Sequence, residues 1–302
     1  MSIVTIVPSF TSAREFLDAL SPIGDHFNEA PIGTPWLFRG QGKDHPLIPS
    51  LFRQGALNKL THRNITLEGQ LLLAERDILI KFFNIADKRG LMLPDDSQEL
   101  RAKLEDLSSD TADNMIPMGS ERWHPMFHVA SLMALAQHYG LPTRLLDWTR
   151  LSYIAAYFAA EGAQKHLDDL SGNMVVWAFY FPSLGQHDQI TRETAPLQVV
   201  TAPSATNPNL KAQQGVFTLL NPLITGKGAT PCPPFQEFLE EWESKEGWGQ
   251  YMISHCRLRK FSLPHSEAEE LLYLLAKVDI TPSAVFPGFG SIVSDLKMRH
   301  EW

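Results

Sequence analysis

The chain has 302 residues, 44% hydrophobic and 20% charged, which supports a sizeable core in one large domain and excludes wholesale disorder. Acidic residues outnumber basic ones 34 to 26, giving a formal net charge of -8; this disfavours a broad nucleic-acid or anionic-membrane surface while leaving room for a local basic patch. No apolar run reaches membrane-spanning length, and the N-terminal MSIVTIVPSFTSAREF has no basic start followed by a long apolar stretch. With Cys232 and Cys256 far apart and outside any CxxC, the expectation is a cytoplasmic protein with reduced thiols and no membrane partner.

In chain order, TSAREFLDALSPI reads as a short helix capped by Thr11 or Ser12 and stopped near Pro22. A short strand is predicted over Trp36 to Phe38, with Arg39 at its end, breaking at Gly40 and Gly42 into irregular chain. Leu71, Leu72, Ile78, Phe82 and Ile85 mark a long helix ending at Gly90. Residues 91–120 are charged and weakly amphipathic, and read as a surface insertion or a surface helix, with loop character after Ser108. Phe127, Leu132, Leu135 and Ala136 then recur at near-helical spacing, as do Ile154, Ala155, Phe158 and Ala159, giving two core helices.

Between those helices lies LAQHYGLPTRLLDWT. Gly140 can end the first helix in a left-handed conformation and Pro142 cannot continue it, so the run is predicted to be their connection. Leu145 and Leu146 draw Arg144 and Asp147 partly inward, where each needs a partner. They either pair with one another or with nearby backbone, or form a polar floor under a ligand; Thr149 is a candidate cap for the second helix.

Beyond this, NMVVWAFYFP is predicted to be a central strand, LQVVTAP and Val216 to Leu220 two more, and Phe235 to Lys245 a helix introduced by Pro231, Pro233 and Pro234. Cys256, Leu258 and Phe261 alternate imperfectly with His255, Arg257 and Arg259, as on a half-exposed strand. HSEAEELLYLLAKVD and the C-terminal GFGSIVSDLKMRHEW read as helices. Helices mostly precede strands, so the fold class is α+β with a small mixed or antiparallel sheet and several packed helices.

There is no P-loop lysine motif, GxSxG or HExxH. GFGSIV lacks the third glycine and the following βα unit of a dinucleotide fingerprint. His124 and His128 are four apart, but Pro125 belongs in a first helical turn and leaves His124 outside it, so no metal is expected. The RLRK run offers a basic face for nucleic acid. Arg39 emerges beside two glycines, where the backbone lets a ligand approach, and its planar guanidinium suits phosphate or carboxylate. Gln213 and Gln214 stand just before a strand.

FRGQ with PSLFR downstream, AQHYGLPTRLLDWT leading into AAYFA, NPNLKAQQGVFT and the terminal VFPGFG together resemble the FRG domain family, named for its Phe-Arg-Gly motif. The blocks fall between residues 30 and 294 of a chain expected to be one domain over 1–302. There is a more distant similarity to the ADP-ribosyltransferase fold. Its arginine-first enzymes carry an Arg strand, a Ser/Thr strand running into an A-x-x-F helix, and a later Gln/Glu-x-Glu element. Arg39, then Thr143 or Thr149, then Gln213 or Gln214 match these, but Gly215 occupies the place of the Glu. That Glu stabilises a cationic ribose, a role an amide performs poorly; Asp147, or Glu267, Glu269 or Glu270, is the substitute.

The resemblance implies NAD as substrate, for ADP-ribosyl transfer to a protein or nucleic-acid acceptor or for NAD hydrolysis, in a toxin or phage-defence setting. Arg39, Asp147 and Gln213 are then the catalytic candidates. Arg39 grips the pyrophosphate with help from Gln41, Tyr139 or Trp148 stacks on a ring, His138 bonds a ribose hydroxyl, and Asp147 supports the cation. Thr143, Arg144, Thr149 and Gln214 complete the substrate-binding candidates. The alternatives are a nucleotide- or peptide-binding sensor without turnover, and a nucleic-acid-associated module using RLRK. The first predicts that Arg39, His138, Asp147 and Gln213 share one cleft.

Overall fold

The computed structural model describes residues 3–28, 36–57, 60, 68–109, 129–165, 172–181, 197–202, 207–220, 232–243 and 256–300. Within these, seven strands form one sheet carrying ten helices, an α+β architecture. β1 (Val4–Ile6) runs parallel to β7 (Arg257–Pro264), and the order continues through β4 (Asn173–Tyr180), β2 (Leu37–Gln41), β3 (Leu145–Thr149), β6 (Gly215–Leu220) and β5 (Leu197–Val200) by antiparallel pairings. β4 is the expected central strand, paired from Asn173 to Tyr180 with β7 and from Val175 to Phe179 with β2. Its side chains enter cores on both faces, which is why its sequence is continuously apolar rather than alternating.

The sheet overturns part of the sequence reading. LLDWT is a strand, not a connection between helices: β3 pairs with β6 from Leu145↔Leu219 to Thr149↔Gly215. Leu146 and Trp148 enter the core on one face, while Leu145 enters a core on the other, so period-two alternation is hidden. Nor does β2 break at Gly40; the strand continues to Gln41, which pairs with Val175. β7 is an interior strand between β1 and β4, with Leu258 and Phe261 buried and Arg257 and Arg259 half-buried as their alternation predicts. β1 is too short, at three residues, to have announced itself.

β2 and β3 meet at a single register pair, Phe38↔Thr149, although each is paired over five residues with its other neighbour. The sheet is therefore two well-paired halves joined at a narrow seam. One face has a core spanning both halves, in which Leu37, Trp148, Val175 and Phe179 pack with Phe235 and Phe238 of α7 (Phe235–Glu243). On the opposite face the cores are separate. α1 (Ala13–Ala19), α5 (Ser152–Gln164) and α8 (Ala268–Ala276) cover the β2-β4-β7 half. α2 (Glu68–Lys88), α3 (Gln98–Ser109) and α4 (Ala130–His138) cover Leu145, Phe217 and Leu219. The gap between these cores lies above the seam.

Local chemistry explains the helices. Ser12 caps α1 by accepting from the Glu15 amide at 3.3 Å, and the Glu267 carboxylate accepts from the Ala13 amide at 2.9 Å. The buried stripe of α2 is Leu72, Glu75, Leu79, Phe83 and Ala86, rotated from the expected one, so that Ile85 is 64% exposed. α3 forms within the expected insertion and buries Leu100 and Leu104 on its neighbours; residues 110–120 lie outside the described residues, as do His124, Pro125, Phe127, Pro231, Lys245 and His255. Gly90 and Gly140 end their helices at φ +67° and +89°.

The glycines of the FRGQG run serve packing between elements. A Cβ on Gly40 would stand 1.9 Å from the Ala155 carbonyl oxygen and 2.7 Å from the Ala159 nitrogen, and one on Gly42 2.2 Å from the Gly162 carbonyl carbon. α5 therefore lies with its backbone against β2, and its Ala155, Ala156, Ala159, Ala160 and Ala163 keep that face small. A short helix α6 (Pro208–Ala212), capped by Asn207, precedes β6; α9 (Pro282–Val285) and α10 (Phe289–His300) close the chain.

Candidate functional site

A cleft of about 680 Å3 opens over the seam, in the gap between the two helical cores. Arg39, Asp147, Thr149 and Gly215 from the sheet lie on its floor, α4 contributes Leu135, Gln137 and His138, and Phe158 of α5 stands opposite. Asn207, Asn209 and Gln213 around α6, with Phe286, complete it. Phe158 and Phe286 meet edge to face with centroids 5.8 Å apart, forming an apolar wall beside a polar floor. The expected convergence holds: Arg39, His138, Asp147 and Gln213 all line this cleft.

The seam is what brings Arg39 there. Where β2 and β3 part, the Arg39 guanidinium fills the opening, its Nη1 donating to the Asp147 carbonyl at 2.8 Å and to its carboxylate at 2.6 Å. Arg39 is largely enclosed, its side chain 14% exposed, whereas the Asp147 carboxylate is 54% exposed. The Arg39 Nε is buried without an acceptor. Gln137 is a site residue that the sequence did not reveal: its amide nitrogen donates to the other Asp147 oxygen, and its amide oxygen accepts from the Thr143 hydroxyl. The Arg-Asp-Gln bridge is charge-balanced and draws on three elements, β2, β3 and α4.

Other expected contacts fall elsewhere. Arg144 does not pair with Asp147; it is 1% exposed and bound to the equally buried Glu75, which accepts from the Arg144 Nε and backbone amide, both at 2.7 Å. Thr143 is fully buried, with its hydroxyl held by Gln137 and by the Leu145 amide at 3.2 Å. The Trp148 ring is not free to stack on a ligand: it packs on Phe179 and Phe235 and donates to the Thr218 hydroxyl at 2.9 Å. Gln41 accepts from the Trp177 indole at 3.1 Å and does not line the cleft. Gln214 is exposed outside the lining, at φ +44°, its carbonyl accepting from the Arg150 amide at 3.3 Å.

Thr149 stays at the site, donating to the Gln213 carbonyl at 2.5 Å and accepting from the Leu151 amide at 3.0 Å, so it fastens the entry to α5. The Gln213 side chain donates to the Val285 carbonyl at 3.2 Å and ties α6 to α9. His138 and the 72%-exposed Tyr139 sit on the rim, their rings 5.3 Å apart. Glu267 caps α1, and Glu269 and Glu270 are exposed on the first turn of α8, so none of the three lines the cleft. Among the described lining residues Asp147 is the acidic one. A Cβ on Gly215 would stand 2.4 Å from the Leu210 Cδ1, so a side chain there requires the Leu210 tip to move.

The model of the FRG domain matches residues 34–168. Those residues are similar to the FRG domain. No curated protein and no solved structure gives a significant match. The matched residues supply Arg39, the two close-packed glycines, Gln137, Asp147 and α5, and hence the seam and most of the floor. α6, Gly215 and Phe286 come from beyond them.

The RLRK run is engaged elsewhere. Arg259 donates to the His26 carbonyl and lies over Trp36, while Lys260 pairs with Asp44 at 2.5 Å and lies over Trp177. Burial, then the Arg259 charge, lowers the His26 pKa. No described helix is long and apolar enough to cross a membrane, and no described group of His, Cys, Asp or Glu is arranged to hold a metal ion.

Proposed function

We propose that the cleft binds NAD and transfers or hydrolyses its ADP-ribosyl group. The supporting observation is the Arg39–Asp147 pair, a cation and an anion 2.6 Å apart on the floor of an apolar-walled cavity. NAD carries the complementary charges, an anionic pyrophosphate and a cationic nicotinamide ring joined to ribose. Arg39 is the pyrophosphate ligand, and Asp147 faces the positive charge that develops on the ribose as the nicotinamide bond breaks. Phe158 and Phe286 provide apolar surface for a ring in place of Trp148, with Tyr139 at the rim. Gln137 positions Asp147, a role that fell to no residue in the motif comparison.

The arrangement is consistent with an ADP-ribosyltransferase-like plan, since the Arg strand, the Thr strand leading into α5 and the strand after Gln213 are adjacent as β2, β3 and β6. A specific observation favours a second reading, a nucleotide-binding sensor without turnover. Gly215 leaves no glutamate on β6, and the Asp147 carboxylate is already paired with Arg39 and hydrogen-bonded by Gln137. Incubating the purified chain with NAD separates the two. Release of nicotinamide supports transfer or hydrolysis, saturable binding without release supports the sensor, and no binding removes both. The acceptor, and any toxin or phage-defence role, follow only from the first outcome.

A further inference from the structure

A second recess, of about 420 Å3, shares Arg39, Gln137 and Asp147 with the main cleft and none of its other lining residues. The Arg-Asp-Gln bridge is thus a wall between two cavities. The far side is lined by Ser50, Arg53 and Ala56 and by the Gly140 to Pro142 turn. Its charged lining residues are Arg39, Arg53 and Asp147, two cations against one anion.

The donors around this recess are nearly all committed. The Ser50 hydroxyl donates to the Thr143 carbonyl at 3.1 Å and accepts from the Thr143 amide at 3.0 Å. The Gly140 and Leu141 amides donate to the Gln137 and Ala136 carbonyls at 2.9 and 3.0 Å, and Pro142 has no N–H. What remains is guanidinium. Arg53 is exposed at the mouth of the recess and donates from Nε to the Ile48 carbonyl at 3.2 Å, which fixes its direction and leaves its two terminal nitrogens to solvent or a ligand. The Arg39 guanidinium gives Nη1 to Asp147, and its Nε is enclosed out of reach of the recess. Partial loss of hydration, then repulsion from Arg39, lowers the Arg53 pKa, and Asp147 offsets only part of this. An anion seated between the arginines offsets their excess positive charge and accepts from the terminal nitrogens of Arg53.

The geometry points to a phosphate-binding subsite in this recess, with Arg39 and Arg53 as its two guanidinium ligands and a phosphate or pyrophosphate group as its occupant. Arg53 belongs to the PSLFR block, to which the NAD reading gave no task. The subsite requires binding only and does not depend on NAD turnover. Its occupant competes with Asp147 for Arg39, so filling it leaves the Asp147 carboxylate facing the main cleft.

Calorimetric titration of inorganic pyrophosphate at constant ionic strength tests this, with melting temperatures recorded for each variant. Wild type binds saturably. Arg53→Ala binds about ten- to a hundredfold more weakly, the loss of one or more charge-assisted contacts, and Arg53→Lys recovers part of that at most, since a point ammonium replaces a planar fork. Asp147→Asn binds more tightly, because Arg39 loses its competitor. If Arg53→Ala does not fold, Ala56→Glu places a carboxylate in the recess while keeping the Arg53–Ile48 bond, and must weaken binding likewise. Absent binding by wild type, undiminished affinity in folded Arg53→Ala or Ala56→Glu, or no gain in Asp147→Asn overturns the assignment.

Discussion

Glu75→Gln tests how β3 is fixed in place. Glu75 and Arg144 each have a side chain 1% exposed, and Glu75 accepts two hydrogen bonds of 2.7 Å from Arg144, one from the backbone that leads directly into β3. The Arg144 Nη2 is already buried without a partner. An amide keeps the shape of the side chain but removes the charge, leaving a guanidinium buried and uncompensated at a cost of about 3–5 kcal/mol. At roughly 2–4 °C per kcal/mol for a chain of this class, the melting temperature falls by about 10 °C. The double variant Glu75→Leu with Arg144→Met removes both charges, and its loss is smaller than the sum of the single losses. Urea unfolding of the wild type, both singles and the double gives the coupling. A single-variant cost under about 1 kcal/mol, or additive losses, would refute the view that this pair anchors the strand bearing Asp147.

Gly40→Ala places a methyl group where the Ala155 carbonyl oxygen would be 1.9 Å away, so β2 and α5 must separate and stability falls by about 3 kcal/mol or more. Gly90→Ala, with nothing within 4 Å at φ +67°, bears only the left-handed backbone cost of about 1–2 kcal/mol; urea midpoints compare the two. Burial, with the negative charges of Glu161 and Asp295, pushes the Tyr157 phenol up to about 12. The unfolded chain loses this proton near pH 10, so the contribution of Tyr157 to stability is intact below pH 10 and is lost as pH rises through about 12. Tyr157→Phe therefore unfolds at higher pH than wild type in an alkaline titration followed by circular dichroism, and an unchanged midpoint contradicts the assignment.

Much of this was legible because it is local. The apolar run of β4 and the small-residue face of α5 follow from composition and period, and Gly140 marks the end of α4 through its backbone freedom. What escaped depends on partners remote in sequence. Glu75 lies 69 residues from Arg144, so Arg144 and Asp147 read most simply as each other's counterion. Trp148 carries an aromatic ring in a motif beside polar residues, but its position on β3 turns the ring into the opposite core. Gly40 and Gly42 suggest open backbone for a ligand until α5 is placed against them. Arg39 and Asp147 were identified from residue chemistry, whereas their direct pairing required the seam, and Gln137 sat within a helix whose stripe drew attention to its apolar neighbours. The PSLFR arginine carried no signal beyond its block.

The most direct measurement is nicotinamide release from NAD, followed by chromatography for wild type, Asp147→Asn and Arg39→Lys in parallel with melting curves. The account predicts release by wild type, a fall of at least about a hundredfold for folded Asp147→Asn, where the carboxylate facing the developing cation is lost, and NAD affinity about ten- to a hundredfold weaker for Arg39→Lys. NAD left intact by wild type, or equal turnover by wild type and folded Asp147→Asn, would contradict it.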